Sequence, residues 1–141
     1  MMTLRERREA LESPSKGTLE CLYATGHWLY SERRYRHAKN VFRAMVHLAS
    51  FDERGWLALG ACHEAEHQLD IALELYTAAV GMADLAPRCE LARARILRQR
   101  GRDGEAAQAV AEAARIAEEI QDDELRRLAA EERHGCHGCH G

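Results

Sequence analysis

The chain repeats itself every 34 residues. Four positions recur in the same register, and two of the four hold Gly or Ala in every copy. The three copies are Leu22, Gly26, Ala38 and Phe42, then Trp56, Gly60, Ala72 and Tyr76, then Glu90, Ala94, Ala106 and Val110. A 34-residue period with small residues at the eighth and twentieth places is the tetratricopeptide signature, in which each unit is a pair of antiparallel helices, A and B.

The glycines support this register. Gly26 and Gly60 fall in the middle of predicted A helices, where glycine costs about 0.5–1 kcal/mol relative to alanine. Close approach of the partner helix would offset that cost, and we expect Ala38 and Ala72 on the B helices to provide it. A period held in phase over three copies excludes a generic helical bundle. We therefore predict an all-α solenoid of three tandem repeats.

The predicted domain covers residues 18–133 and is flanked by two short segments. Residues 1–17 hold a short charged N-terminal helix at 2–12 and a linker, and 134–141 form a His/Cys/Gly tail that we expect to be disordered. The repeats lie at about 19–52, 53–86 and 87–120, with a capping helix at 121–133. The predicted helix pairs are 19–31 with 35–49, 53–65 with 69–82, and 88–100 with 104–120.

Residues at the helix ends refine these boundaries. Thr18 is predicted to cap the first helix with Glu20 in its first turn, and Asp52 to cap the second A helix. Pro87 suits the first turn of the third. The A-to-B turn favours glycine in a left-handed conformation, as at Gly101. Arg33 and His67 hold this place in the first two repeats, where a left-handed backbone costs about 1–2 kcal/mol. We therefore expect these two turns to be either slightly strained or built differently.

Composition excludes several classes of protein. A net charge of −3 argues against a nucleic-acid binder, and no apolar run approaches the ~20 residues of a membrane span, so we expect no membrane insertion. The charged N-terminus lacks the apolar region of a secretion signal, which predicts a cytoplasmic protein. Five cysteines, with Cys21, Cys62 and Cys89 inside helical patterns, fit reduced thiols better than a disulfide framework.

Several segments resemble the class II type III secretion chaperones, the tetratricopeptide proteins also known as the low-calcium-response protein H family. The similar segments are Leu22-Tyr23 and residues 35–44 in the first repeat, residues 57–62 and 68–72 in the second, and Pro87-Arg88 opening the third. The resemblance covers roughly residues 18–120. It implies a chaperone that holds an extended segment of hydrophobic translocator proteins on its concave surface. Members usually self-associate through a longer N-terminal region, so a homodimer is left open here.

The residues themselves point to the same concave surface as a peptide site. Tyr23, His27 and Tyr30 recur at i, i+4 and i+7 and form one stripe on the first A helix. The equivalent positions are Leu57, Ala61 and Glu64 in the second repeat and Leu91, Arg95 and Arg98 in the third. This predicts a groove that is aromatic at one end, small and apolar in the middle, and basic at the other. The alternative is that Tyr23 and Tyr30 pack against the N-terminal helix.

The C-terminal tail contains Cys136, His137, Cys139 and His140, which match the haem-attachment pattern C-x-x-C-H. Thiolate and imidazole are also the ligands that Zn²⁺ prefers. A tail punctuated by glycine offers nothing to orient such ligands, so we predict no dedicated metal site and no cofactor.

No nucleophile–base pair, phosphate-binding loop or metalloprotease motif occurs, so the chain is not expected to be an enzyme and no catalytic residues are predicted. An Arg-rich patch in the third repeat is interpreted mainly as a solvated helix face: Arg93, Arg95, Arg98, Arg100 and Arg102. The prediction is therefore an export chaperone. Its rivals are a generic tetratricopeptide scaffold that joins two stable proteins, and a metal or haem carrier that uses the tail.

Overall fold

A computed structural model describes residues 1–7 and 15–135. Within these ranges the chain forms helices joined by turns, and no residue lies in a β-strand. In the described part of the chain, residues 4–7 are helical, and seven further helices follow. They are α1 Lys16–Ser31, α2 Tyr35–Leu48, α3 Glu53–Ala65, α4 Leu69–Met82, α5 Pro87–Gln99, α6 Asp103–Ile120 and α7 Asp123–His134. The all-α prediction and the three helix pairs are confirmed.

The helix starts agree with the predicted caps at two places and differ at one. Asp52 caps α3 by accepting a hydrogen bond from the Arg54 N–H, and Pro87 is the first residue of α5. The prediction for α1 was wrong, because Ser15 is the cap and its Oγ accepts from the Thr18 N–H at 3.1 Å. Thr18 and Glu20 therefore lie inside the helix. Ser15 occupies the extended conformation that capping requires, whereas Thr18 is already helical.

All three A-to-B turns are left-handed, as predicted for Gly101, so the first two are not built differently. Arg33, His67 and Gly101 have φ of 59°, 61° and 74°. In each turn the following N–H bonds back to a carbonyl five residues earlier, as from Gln68 to His63 O at 2.8 Å. Gln121, at the end of α6, is left-handed as well (φ 54°), which was not predicted. The same turn is thus built with and without glycine, and the backbone hydrogen bonds offset its cost.

In the first two helix pairs, an aromatic ring of the B helix lies against a glycine of the A helix. A Cβ added at Gly60 would lie 2.2 Å from Tyr76 Cε1, and one at Gly26 would lie 2.5 Å from Phe42 Cε1. The sequence analysis expected Ala72 and Ala38 to be the close neighbours, but the nearest atoms belong to the two rings. Ala72 and Ala38 are fully buried beside them. The small residues therefore make room for a ring and do not pack only on each other.

The A helices line the inner side of the stacked repeats. α1 contacts α3, and α3 contacts α5, whereas the B helices α2, α4 and α6 make no such contact with each other in the described part of the chain. Since helices on the inside of a curved stack lie closer together, the A helices form the concave surface. α7 packs on both α5 and α6 and takes the place of a fourth A helix. Its fully buried Leu125 and nearly buried Ala129 join the core, which confirms a capping helix.

Hydrogen bonds join one repeat to the next at the start of the A helices. Glu53 on α3 accepts hydrogen bonds from the backbone N–H groups of Arg88 (3.2 Å) and Cys89 (3.3 Å), so its carboxylate caps α5. Burial raises the pKa of Glu53, although both N–H bonds and the charge of Arg88 oppose this shift. A carboxylate at a helix N-terminus satisfies donors that have no partner within the helix.

Three cysteines lie in the described ranges, and all are free thiols. Cys21 is exposed, while burial raises the pKa of the Cys62 thiol to about 11. No helix in residues 1–7 and 15–135 is both long and apolar enough to cross a membrane. The remainder of the predicted N-terminal helix, at residues 8–12, and the tail cysteines and histidines at 136–141 lie outside the described residues.

Candidate peptide-binding groove

A first cavity of ≈ 360 Å³ opens on the concave surface between α1 and α3. Four of the predicted site residues line it together: Tyr23, His27, Leu57 and Ala61. Ala58 completes the apolar wall, and the charged residues Glu53, Arg54 and Arg88 form the rim. Helix spacing explains the grouping, because Tyr23 and His27 are one turn apart on α1, as are Leu57 and Ala61 on α3.

Tyr23 is held in this cavity by contacts from three helices. Its ring centroid lies 5.4 Å from that of His27 on α1 and 6.4 Å from that of Phe42 on α2. The Arg54 guanidinium of α3 stacks over the ring at 5.1 Å from its centroid. A cation over an aromatic face is attracted by the ring quadrupole. Tyr23 therefore presents one edge to the cavity while its faces are packed.

Two arginines on the rim belong to a series of charges spaced by one repeat. Arg54 donates to Glu20, 34 residues earlier, at 2.9 Å, and to its own cap Asp52 at 2.9 Å. Arg88 lies 3.6 Å from Asp122, 34 residues later, and 3.5 Å from Glu124. These pairs tie α1 to α3 and α5 to α7. Each is partly exposed, so it orients the arginine more than it stabilises the fold.

A second cavity of ≈ 260 Å³ continues the groove between α5 and α7. Its apolar lining is Leu57, Leu91, Ala92 and Leu128, and its polar lining is Arg88, Arg95, Glu131 and Glu132. Leu57 and Arg88 line both cavities. The two cavities therefore adjoin at these two residues, and the capping helix α7 provides a wall of the second cavity.

Two predicted site residues, Tyr30 and Glu64, are not among the residues lining either cavity. The Tyr30 ring packs edge-on against Tyr35 with centroids 5.3 Å apart, and it joins the core of the first repeat. Burial raises its pKa, with the neighbouring Tyr35 adding to the shift. Glu64 accepts hydrogen bonds from Tyr76 and Arg95 beneath the groove surface. The helical stripe thus overestimated how far the aromatic lining extends.

The basic end predicted for the groove is neutralised. Arg95 donates to both oxygens of Glu64 at 2.7 Å. Arg98 donates to the Glu132 carboxylate at 3.0 Å and to its backbone carbonyl at 2.7 Å. This end of the groove therefore carries both charges once α7 packs. The helical stripe predicted only the arginines, because it does not show contacts between helices of different repeats.

Eight lining residues were absent from the predicted site: Arg54, Arg88, Glu53, Ala58, Ala92, Leu128, Glu131 and Glu132. The 34-residue spacing of Glu20, Arg54, Arg88 and Asp122 was a signal for the first two. No signal short of the tertiary fold pointed to α7 as a wall. In the described residues no group of three or more His, Cys, Asp or Glu side chains could hold a metal ion.

Known proteins resemble this chain both in sequence and in shape. A scan of protein-family models finds none that matches. The low calcium response locus protein H of Yersinia pestis is 36% identical over 96 residues, which cover 68% of this chain and 57% of that protein. The chain thus spans a little over half the length of this relative.

Solved structures cover nearly the whole chain. The Yersinia enterocolitica type III secretion translocator chaperone SycD superposes with a TM-score of 0.76 at 29% identity, over 92% of this chain and 95% of SycD. Its alternative dimer form has a TM-score of 0.70 at 31% identity, over 84% and 89%. PcrH of Pseudomonas aeruginosa, in complex with the chaperone binding region of PopB, has a TM-score of 0.70 at 29% identity, over 84% and 94%.

Proposed function

The chain belongs to the class II type III secretion chaperones, and from this premise we propose that it binds hydrophobic translocator proteins in the cytoplasm and keeps them soluble for export. PcrH is solved with the chaperone binding regions of PopB and PopD, and SycD with a peptide of the translocator YopD. The proposal extends this kind of partner to the present chain. It is a binding function without a catalytic step.

One observation carries the proposal, namely the two adjoining cavities that share Leu57 on the concave surface. Together they present a line of apolar side chains from Tyr23 on α1 to Leu128 on α7. An extended segment with spaced apolar side chains would seat one anchor in each cavity. Such a segment has little conformational entropy left to lose if proline already holds it extended. Aromatic and leucine walls then supply contact area.

The charged rim suits an extended ligand whose backbone N–H and C=O groups have no partners within the ligand. Arg54, Arg88 and Glu53 border the first cavity, and Arg88, Arg95, Glu131 and Glu132 the second. Because both signs are present, neither a strongly acidic nor a strongly basic segment is favoured throughout. We expect specificity to come from the apolar anchors, with the polar rim holding the backbone of the segment.

We further propose that the chain forms a homodimer, as SycD does in the structure of its alternative dimer. Trp28 on α1 is 56% exposed and offers a large apolar side chain that a second copy of the chain could cover. Analytical ultracentrifugation of the wild type and of Trp28→Arg tests this step. A wild type that sediments as a monomer at tens of micromolar would refute the dimer without touching the groove.

Co-expression tests the main proposal. A translocator protein of the same secretion system is produced alone, with the wild-type chain, and with Ala61→Glu, which fills the first cavity with a charge. We expect the translocator to be insoluble alone, to stay in the supernatant with the wild type, and to be lost again with the variant. A translocator that remains insoluble beside the wild type contradicts a chaperone and leaves a scaffold that joins stable proteins.

A further inference from the structure

Tyr76 is a buried core residue whose hydroxyl reaches the layer of the groove. Its ring belongs to α4, on the outer side of the repeats, and only 1% of the residue is exposed. The hydroxyl donates to Glu64 Oε2 on α3 at 2.6 Å. It passes Gly60 on the way, since a Cβ at Gly60 would lie 2.8 Å from Tyr76 Oη. The missing side chain at Gly60 thus opens a path from the core to Glu64, one helical turn further on.

Glu64 in turn holds an arginine of the next repeat. Both its carboxylate oxygens accept from Arg95 Nη2 on α5 at 2.7 Å. Burial opposes the charge of Arg95, but the Glu64 carboxylate more than compensates and leaves the arginine pKa raised. Three residues from α4, α3 and α5 therefore form one chain of hydrogen bonds, which ends at a residue lining the second cavity.

The first repeat shows that packing alone does not require this hydroxyl. Phe42 occupies the position equivalent to Tyr76, lies against Gly26 in the same way, and is likewise 1% exposed. A ring without oxygen fills the same space there. The position equivalent to Glu64 in that repeat is Tyr30, which carries no carboxylate. The hydroxyl of Tyr76 is therefore matched to Glu64 and to Arg95.

Arg95 keeps donors for a ligand. Among the described residues its hydrogen bonds go through Nη2 alone, while its side chain is 42% exposed. A guanidinium has five N–H donors, so those on Nε and Nη1 can serve a ligand in the second cavity, which Arg95 lines. Glu131 and Glu132 line the same cavity and would repel a carboxylate. A backbone carbonyl is neutral, and in an extended segment it has no partner within its own chain.

We propose that Tyr76 and Glu64 are positioning residues that hold Arg95 ready to donate to a backbone carbonyl of the client segment in the second cavity. This inference rests on the proposed function, because it presupposes an extended client in the groove. It adds main-chain recognition to the apolar anchors, and it assigns a binding role to a hydroxyl that sequence patterns place in the core.

A mutant cycle tests the positioning role. The probes are labelled peptides of the chaperone binding regions of PopB and PopD, titrated against the wild type, Tyr76→Phe, Arg95→Leu and the double variant. We expect Tyr76→Phe to weaken binding about three- to tenfold and Arg95→Leu about tenfold or more, as for the loss of one or two hydrogen bonds. In the Arg95→Leu background, Tyr76→Phe should have no further effect. The matched control is Tyr35→Phe, which removes a hydroxyl outside both cavities and should bind as the wild type does.

A merely structural role of Tyr76 would weaken binding equally in both backgrounds, and that result would overturn the proposal. Equal binding by the wild type and Tyr76→Phe would overturn it as well. If Tyr76→Phe melts well below the wild type in circular dichroism, Glu64→Gln replaces it in the cycle with the same expectations. A wild type that binds neither peptide contradicts the proposed function for these clients. Binding that is unaffected by the substitutions at Tyr76 and Arg95 contradicts only the positioning role proposed here.

The carbonyl itself can be tested with ester-substituted probes. Replacing one amide of the peptide by an ester weakens the carbonyl as an acceptor. At one position the substitution should weaken binding to the wild type several-fold and leave binding to Arg95→Leu unchanged. If no position shows a dependence on Arg95, the arginine does not bind the client backbone and the inference is wrong.

Discussion

Gly60 and Tyr76 are packed so closely that a Cβ on the glycine would lie 2.2 Å from Cε1 of the ring. Gly26 and Phe42 repeat this relationship one repeat earlier, with 2.5 Å between the equivalent atoms. The third repeat has Ala94 against Val110, both nearly fully buried. A larger residue on the A helix is thus matched by a smaller one on the B helix.

Gly60→Ala should destabilise the chain by several kcal/mol, because the new methyl overlaps a ring that has no room to move. Guanidinium unfolding followed by circular dichroism measures the loss. Gly81→Ala is the matched control, since no atom lies within 4 Å of a Cβ at this helical glycine. It should stabilise α4 by about 0.5–1 kcal/mol. Equal effects of the two changes would show that the ring contact is unimportant.

The pair found in the third repeat should rescue the second. Gly60→Ala combined with Tyr76→Val reproduces Ala94 and Val110, and it removes the overlap at the expense of buried ring area. We expect the double variant to be more stable than Gly60→Ala and less stable than the wild type, in the same unfolding assay. A double variant whose loss of stability equals the sum of the losses of Gly60→Ala and Tyr76→Val would mean that the two residues are not coupled.

Ala61→Glu should weaken binding of the PopD peptide at least tenfold, because a longer charged side chain would enter an apolar cavity. Fluorescence anisotropy measures the dissociation constant. The same substitution at Ala78, exposed on α4, should leave binding unchanged. If both variants bind equally well, the client does not occupy the first cavity.

Tyr23→Ala should affect binding more than Tyr30→Ala, because Tyr23 lines the first cavity while Tyr30 packs on Tyr35 and the core. Truncating an aromatic anchor typically costs ~2–4 kcal/mol of binding. Tyr30→Ala should instead lower the unfolding midpoint more than Tyr23→Ala does. Calorimetric titration and thermal melts of both variants separate the two roles, and the reverse order would contradict this placement.

Glu53 should make stability depend on pH in an unusual direction. Burial raises its pKa above the ordinary 4.5, so the folded state holds the proton more tightly than the unfolded state. Its contribution to stability is therefore fully present below pH 4.5 and falls as the pH rises through the folded value. The difference in unfolding free energy between the wild type and Glu53→Gln should therefore favour the wild type more at pH 4 than at pH 7.

Urea unfolding at both pH values measures this difference, and Glu74→Gln on the exposed side of α4 serves as the control. A wild type that gains stability over Glu53→Gln as the pH rises would show that the two backbone N–H bonds outweigh the burial of the carboxylate.

The capping helix should matter to the fold and the tail should not. Leu125 is fully buried against α6, so Leu125→Ala should cost about 2–5 kcal/mol. Deleting residues 136–141 should leave the thermal midpoint and client binding unchanged, since α7 ends at His134. A drop of the midpoint by more than a few degrees after the deletion would show that the tail packs on the domain.

The repeat period alone predicted the architecture, because each 34-residue unit is a local structure whose helices are closed by nearby residues. The starts of α3 and α5 at Asp52 and Pro87, and the left-handed turn at Gly101, depend on a few neighbouring residues. Such features are readable in one chain without knowing the fold. The start of α1 was misassigned by three residues, since Ser15 and Thr18 are both good caps and only the backbone conformation distinguishes them.

Only part of the site could be predicted from the sequence, for a related reason. The stripe of Tyr23, His27, Leu57 and Ala61 follows from helical spacing, which places residues on one face regardless of what packs there. Whether Arg95 faces solvent or Glu64, and whether α7 forms a wall of the groove, depends on how neighbouring repeats pack against each other. Periodicity in sequence determined the repeats and their inner face. Contacts between residues some thirty positions apart decided which charges are neutralised and where the cavities lie, because those contacts exist only once the helices are stacked.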